Sequence, residues 1–168
     1  RLKLVVLRLD NGHLRIDELA PLNVWEKTEN SLFERSQVIE EVADWSRRVE
    51  RLYADVREWL TDVDNLRFDL SRSVTMSEEL MQQFAVTDRE LAILDVLRGD
   101  QVLASFVPRG LWLIGAWGRV DVITNKNTFV LVAIKNGDVF DWNLVSPLDR
   151  RITRRLDKDS LIEELQLQ

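Results

Sequence analysis

From Ser31 to Val63 the chain contains neither proline nor glycine, and apolar residues recur at Val38, Val42, Trp45, Val49, Leu52, Val56, Trp59 and Val63. The steps between them alternate between four and three residues, the 3.5-residue period of a coiled-coil seam. Ser31 and Glu34 form an S-x-x-E capping box, which satisfies free N–H groups at a helix start. The spacing therefore predicts one long helix over residues 31–65, ~50 Å in length at 1.5 Å per residue. Valine fills the a positions 42, 49, 56 and 63, while Val38, Trp45, Leu52 and Trp59 fill d. Branched residues at a favour two strands, so a homodimeric coiled coil is one expectation. Tryptophan is bulky for a d hole, and Ile39, Tyr53 and Leu60 make position e apolar. A stripe that wide also suits packing on other elements of the same chain. Both uses of the face stay open at this level, separately or together.

The flanking segments read as β structure. Residues 2–9 and the HLRIDEL segment lie on either side of Asp10-Asn11-Gly12, a hairpin signal because Asn and Gly tolerate positive φ. Residues 1–30 are expected to form this hairpin and a linker. A short helix is expected from Ser77 to Phe84, capped by Thr75 and Glu78. Residues 88–98 fit either a helix or strands. Beyond Val102 the runs VLASFV, LWLIG, GRVDVIT, TFVLVAIK and WNLVS predict an antiparallel meander, closed by a helix from Asp159 to Leu167. The expected fold class is thus α+β: an N-terminal hairpin, one long heptad-patterned helix, then a C-terminal antiparallel β-meander closed by a short helix. Residues 66–168 would form the sheet domain, continuous with the rest.

Composition narrows the function classes. The 168 residues include no cysteine, which excludes disulfides, thiol chemistry and cysteine-ligated metals. The longest uncharged apolar stretch, Gly110 to Gly118, is far short of the roughly 20 residues that span a bilayer. No charged-then-apolar leader opens the sequence, so a cytoplasmic protein away from membranes is expected. The formal net charge of −6 opposes non-specific binding to nucleic acid.

Few residues suggest chemistry. Arg150, Arg151, Arg154 and Arg155 cluster and could contact phosphates, though Asp149, Asp157 and Asp159 flank them. His13 has no evident catalytic or metal partner. Arg98-Gly99-Asp100 falls where a turn is expected. Trp112, Trp117 and Trp142 are expected to fill core or stack on the helix. No zinc spacing, phosphate loop or Ser/His/Asp set occurs. The segment GRVDVITNKNTFVLVAIKNG (118–137) resembles the core hairpin of the PD-(D/E)xK nuclease superfamily, where G-R-[VI]-D precedes [VI]-E-[VI]-K-x-G. The resemblance implies Mg²⁺ and nucleic-acid cleavage, with Asp121 as the first carboxylate and Lys135 as the lysine. Ala133 stands where the family has its second carboxylate. An ordinary hairpin explains the same alternation.

The strings ERLYADVREWL, ELMQQF, PRGLWLIGAWGRVD and DRRITRRLDKDSLIEEL together resemble a bacterial protein family with no assigned activity. That resemblance spans the chain from about Ser31 onward and implies an intracellular bacterial protein. Three functions are expected in turn. The first is a non-catalytic interaction or structural protein that self-associates through the helix face, with itself as partner and no cofactor or metal. The second is a degenerate or inactivated PD-(D/E)xK-like nuclease that would need Mg²⁺. The third is a small-molecule pocket between the long helix and the tryptophan-bearing sheet.

Overall fold

The computed structural model describes residues 6–10, 13–17, 34–113 and 116–167. The first two segments are strands β1 (Val6–Asp10) and β2 (His13–Asp17), paired antiparallel with Asp10 opposite His13. Helix α1 runs from Arg35 to Trp59, 25 residues and shorter than the spacing predicts. Glu34 is its N-cap, and the Gln37 side chain returns 2.8 Å to accept the Glu34 N–H. The predicted cap residue Ser31 lies outside the described residues. At the other end Asp62, Asp64 and Asn65 favour turns over helix, and Asn65 takes a φ of +61°. Val63 therefore sits in a turn beyond the helix.

Seven strands form the main sheet: β3 (Leu66–Asp69), β6 (Leu94–Arg98), β7 (Gln101–Gly110), β8 (Arg119–Thr124), β9 (Thr128–Asn136), β10 (Val139–Val145) and β11 (Thr153–Arg155). Their order across it is β11-β10-β9-β8-β7-β6-β3, every pair antiparallel. A separate two-stranded sheet joins β4 (Ser73–Met76) to β5 (Arg89–Ala92). Two short helices complete the set, α2 (Glu79–Gln83) and α3 (Lys158–Leu165).

This arrangement corrects the expected fold class. The protein is mostly antiparallel sheet, and a long helix followed by a C-terminal meander does not describe it. The sheet begins at Leu66, directly after the helix, because β3 and β6 pair along one edge. Between them the chain is a single long hairpin that bends at Arg72 and Ile93, where Ile93 N–H donates to Arg72 O (2.8 Å). Its far half, β4–β5, leaves the large sheet. Residues 89–98, readable as helix or strand, are the two strands on either side of that bend. The predicted strand at 111–115 is also corrected. Residues 111–113 and 116–118 lie between β7 and β8 and carry one isolated bridge, Leu113 to Ala116, while residues 114 and 115 lie outside the described residues.

Strand alternation sorts the side chains of the large sheet. Leu94, Val96, Ala104, Phe106, Val120, Val122, Phe129, Leu131 and Ala133 point to one side and are buried with α1. The helix contributes Val38, Val42, Trp45, Val49, Leu52 and Val56, with Trp59 and Val63 half-buried against the same core. Removing each such side chain from water contributes ~1.5–3 kcal/mol. The heptad stripe is thus packed within the chain. The Trp45 and Trp142 rings meet there at 6.0 Å between centroids. Gly118, at φ +138°, lets the Trp45 ring approach its backbone, because a Cβ there would stand 2.0 Å from Cζ3.

Candidate functional site

A cavity opens where the bent hairpin departs from the sheet. Pairing of β6 with β7 stops at Leu94 opposite Phe106, whereas β7 runs on to Gly110. The space beside that overhang has a volume of about 430 Å³. Met76, Glu78 and Leu91 line it from the bent hairpin and its connection, Pro108 and Gly110 from β7, and Trp45 from α1. The walls mix apolar side chains with polar ones, Thr75, Ser77, Glu78 and Arg109 among them.

Two of those groups stand apart. Trp45 is fully buried, yet its indole N–H has no acceptor. The benzo edge of the ring abuts Gly118 through Cε3, Cζ3 and Cη2, so the edge bearing the N–H faces the other way. A buried donor left unpaired costs about 1–3 kcal/mol. Glu78 is the second. Its carboxylate accepts the backbone N–H groups of Leu111 (2.6 Å) and Trp112 (3.2 Å). Gly110 makes room for this approach, since a Cβ there would lie 3.0 Å from Oε1. Burial raises the Glu78 carboxyl above the ordinary glutamate value, and the two N–H groups oppose that rise only in part. The expected capping box fails here. Thr75 turns its hydroxyl to Glu90, and Glu78, predicted to serve the helix, is spent on the 111–112 backbone.

Helix α1 holds both ends of the connection between β7 and β8. Trp112 Nε1 donates to Glu41 (2.7 Å), and Arg48 donates to the Trp117 carbonyl (2.6 Å). The Arg48 guanidinium also lies 3.6 Å from the Phe140 ring centroid, a cation–π contact. Its burial lowers its pKa from the ordinary arginine value.

The outward side of the sheet is different in kind. Asp95 accepts two bonds from Arg72 (2.8 and 2.7 Å) and one from the Ser105 hydroxyl (2.5 Å). Arg72 holds the Asp95 carboxyl below the ordinary aspartate range. Asp121 lies between Arg109 (3.1 Å) and Arg119 (2.7 Å).

The sequence-derived nuclease set does not assemble on one face. Asp121 pairs with Val130 across the ladder, while Val120 opposite Leu131 and Val122 opposite Phe129 face the helix. Ala133 shares the parity of Leu131 and is buried on the helix side, its N–H donating to Gly118 O (2.9 Å). Lys135 follows on that side, 5.1 Å from the Trp117 ring centroid. Asp121 thus projects outward, away from positions 133 and 135. Among the described residues no group of three or more His, Cys, Asp or Glu side chains is placed to hold a metal ion.

Three of the four clustered arginines have acidic partners. Arg151 pairs with Asp149, Arg154 with Glu163 and Glu164, and Arg155 with Asp141. Arg150 lies in the turn before β11. Trp142 is core, and Trp117 packs edge-on against Phe140 while staying half exposed. Gly99 and Asp100 are the turn between β6 and β7. His13 belongs to β2. No described helix is long and apolar enough to cross a membrane. Sequence reasoning missed Glu78, Asp95 and Arg48; only the charge inside the apolar run LAILDVL hinted at Asp95. No family model, curated protein or solved structure matches the chain.

Proposed function

We propose that this chain is a non-catalytic, cytoplasmic binding domain that holds a small organic molecule between α1, the bent β4–β5 hairpin and the end of β7. The unpartnered, buried N–H of Trp45, a residue that lines the cavity, carries this reading. A ligand with a carbonyl or hydroxyl oxygen supplies the missing acceptor, while Met76, Leu91 and Pro108 take its apolar body. The volume, about 430 Å³, falls in the range that small-molecule sites occupy. The acidic, cysteine-free composition is in keeping with a cytoplasmic setting.

The test is a titration with benzamide, followed through the ¹⁵N–¹H signal of the Trp45 indole, assigned with Trp45→Phe. A saturable shift of that signal with ~millimolar affinity, usual for so small a ligand, is expected. Ser77 lines the cavity from an exposed position, so Ser77→Trp should fill the mouth and abolish the shift without disturbing the core. A Trp45 signal unmoved by benzamide at roughly tens of millimolar, above the weakest specific binding expected, rules the site out.

A further inference from the structure

Resting on that binding reading, we infer that the cavity selects an organic cation, a molecule whose protonated nitrogen donates to Glu78, and rejects carboxylates and phosphates. Charge placement is the basis. Glu78 is the acidic group lining the cavity, and both of its oxygens are held in place by the backbone of Leu111 and Trp112. Each oxygen accepts one bond there and keeps a further lone pair for a ligand. Arg109 also lines the cavity, but its guanidinium is turned away to Asp121 at 3.1 Å, a carboxylate it shares with Arg119.

Glu78 is partly withdrawn from water, and among the described residues no cation pairs with it. Among the described residues its hydrogen-bond partners are two neutral N–H groups. A carboxylate in that state is stabilised by an incoming cation and destabilised by an incoming anion. A charge-assisted N–H···O bond is roughly twice as strong as a neutral one. The two polar groups divide the work: Trp45 donates to an oxygen of the ligand, and Glu78 accepts from its nitrogen.

Three ligands of one shape and different charge test this, each with a hydroxyl oxygen for the Trp45 N–H: 4-hydroxybenzamidine (cationic), 4-hydroxybenzamide (neutral) and 4-hydroxybenzoate (anionic), each titrated into the whole chain while the Trp45 indole signal is observed. The amidine is expected to bind about tenfold more tightly than the amide, with the benzoate weakest. In Glu78→Gln the preference for the amidine over the amide should disappear. The wild-type series decides the question even if that variant unfolds. Benzoate binding as tight as that of the amidine would overturn the cation assignment and leave the binding reading standing. If none of the three moves the Trp45 signal, both fall. An amidine shift confined to the other tryptophans would count against both, as adsorption to an acidic surface.

Discussion

The two sides of the large sheet treat buried acids in opposite ways. Outward, Asp95 is drawn out of solvent against Arg72 and Ser105, and Asp121 against two arginines. On the helix side, among the described residues, Glu78 meets backbone amides alone and the Trp45 N–H has no acceptor. The pKa directions report the difference: Arg72 pulls Asp95 down, while burial pushes Glu78 up. An acid opposite its counter-ion closes a structure. One supported only by amides leaves part of its desolvation cost uncovered, and the cavity lies beside it. The comparison teaches that polar groups left short of partners single out a place to test for binding better than the presence of charge does.

The largest effect that can break this picture is Leu52→Asp. Leu52 is fully buried in the helix–sheet core, so an unpaired carboxylate there should cost more than ~4 kcal/mol and unfold the chain. Light scattering with circular dichroism reads the result. A folded monomer arising from a wild-type dimer would instead make the heptad face an interface between copies.

Gly118→Ala comes next. Its Cβ would collide with the Trp45 ring in a backbone conformation that side chains avoid. A loss of ~3 kcal/mol in urea denaturation is expected, accompanied by displacement of the Trp45 indole signal. Wild-type stability in the variant would mean that the ring is free to move and that its N–H is not held toward the cavity.

Asp95→Asn should cost ~2 kcal/mol at neutral pH, the usual scale for losing bonds to a charged group, reduced because Arg72 is over half exposed. The sign with pH is definite. A depressed folded-state pKa contributes stability that is present above the ordinary aspartate value and lost as pH falls through the folded one. Stability plotted against pH should therefore have a shallower acid limb in the variant. An acid limb as steep as wild type would show that the Arg72 pair does not set it.

Glu78→Gln is the smallest change, ~1 kcal/mol, from one poorer acceptor at the 111–112 backbone. Its pH signature has the opposite sign. A raised folded-state pKa gives stability that is complete below the ordinary glutamate value and lost as pH rises through the folded one. The wild type should lose stability over that rise, and the variant should not. Parallel curves would remove the contrast between the two sides.

How much was legible depends on where each residue finds its partner. The stripe from Val38 to Val56 can be read in the sequence because helical period and burial are local properties of one segment. Its partner cannot, since a/d/e valines and tryptophans suit a sheet as well as a second helix. Glu78 looked like part of a capping box because the Thr75-x-x-Glu78 spacing is local. The fold instead offered it the N–H groups of Leu111 and Trp112, more than thirty residues away. Asp95 inside LAILDVL becomes intelligible only when the bend at Arg72 and Ile93 brings a guanidinium to it. The nuclease-like hairpin was legible as a hairpin. Whether Asp121 and position 133 share a face depends on register, and register is set between strands.

By itself the sequence determined that this chain has one amphipathic helix, several β-rich segments and no thiol chemistry, because periodicity and composition act residue by residue. Only the tertiary structure decided that the helix face closes on the chain's own sheet. The same holds for β3 joining the far edge beside β6, and for the β4–β5 half of the hairpin leaving the sheet beside Trp45 and Glu78. Those outcomes depend on long-range pairing and on which buried polar groups find partners, quantities that no single stretch of residues contains.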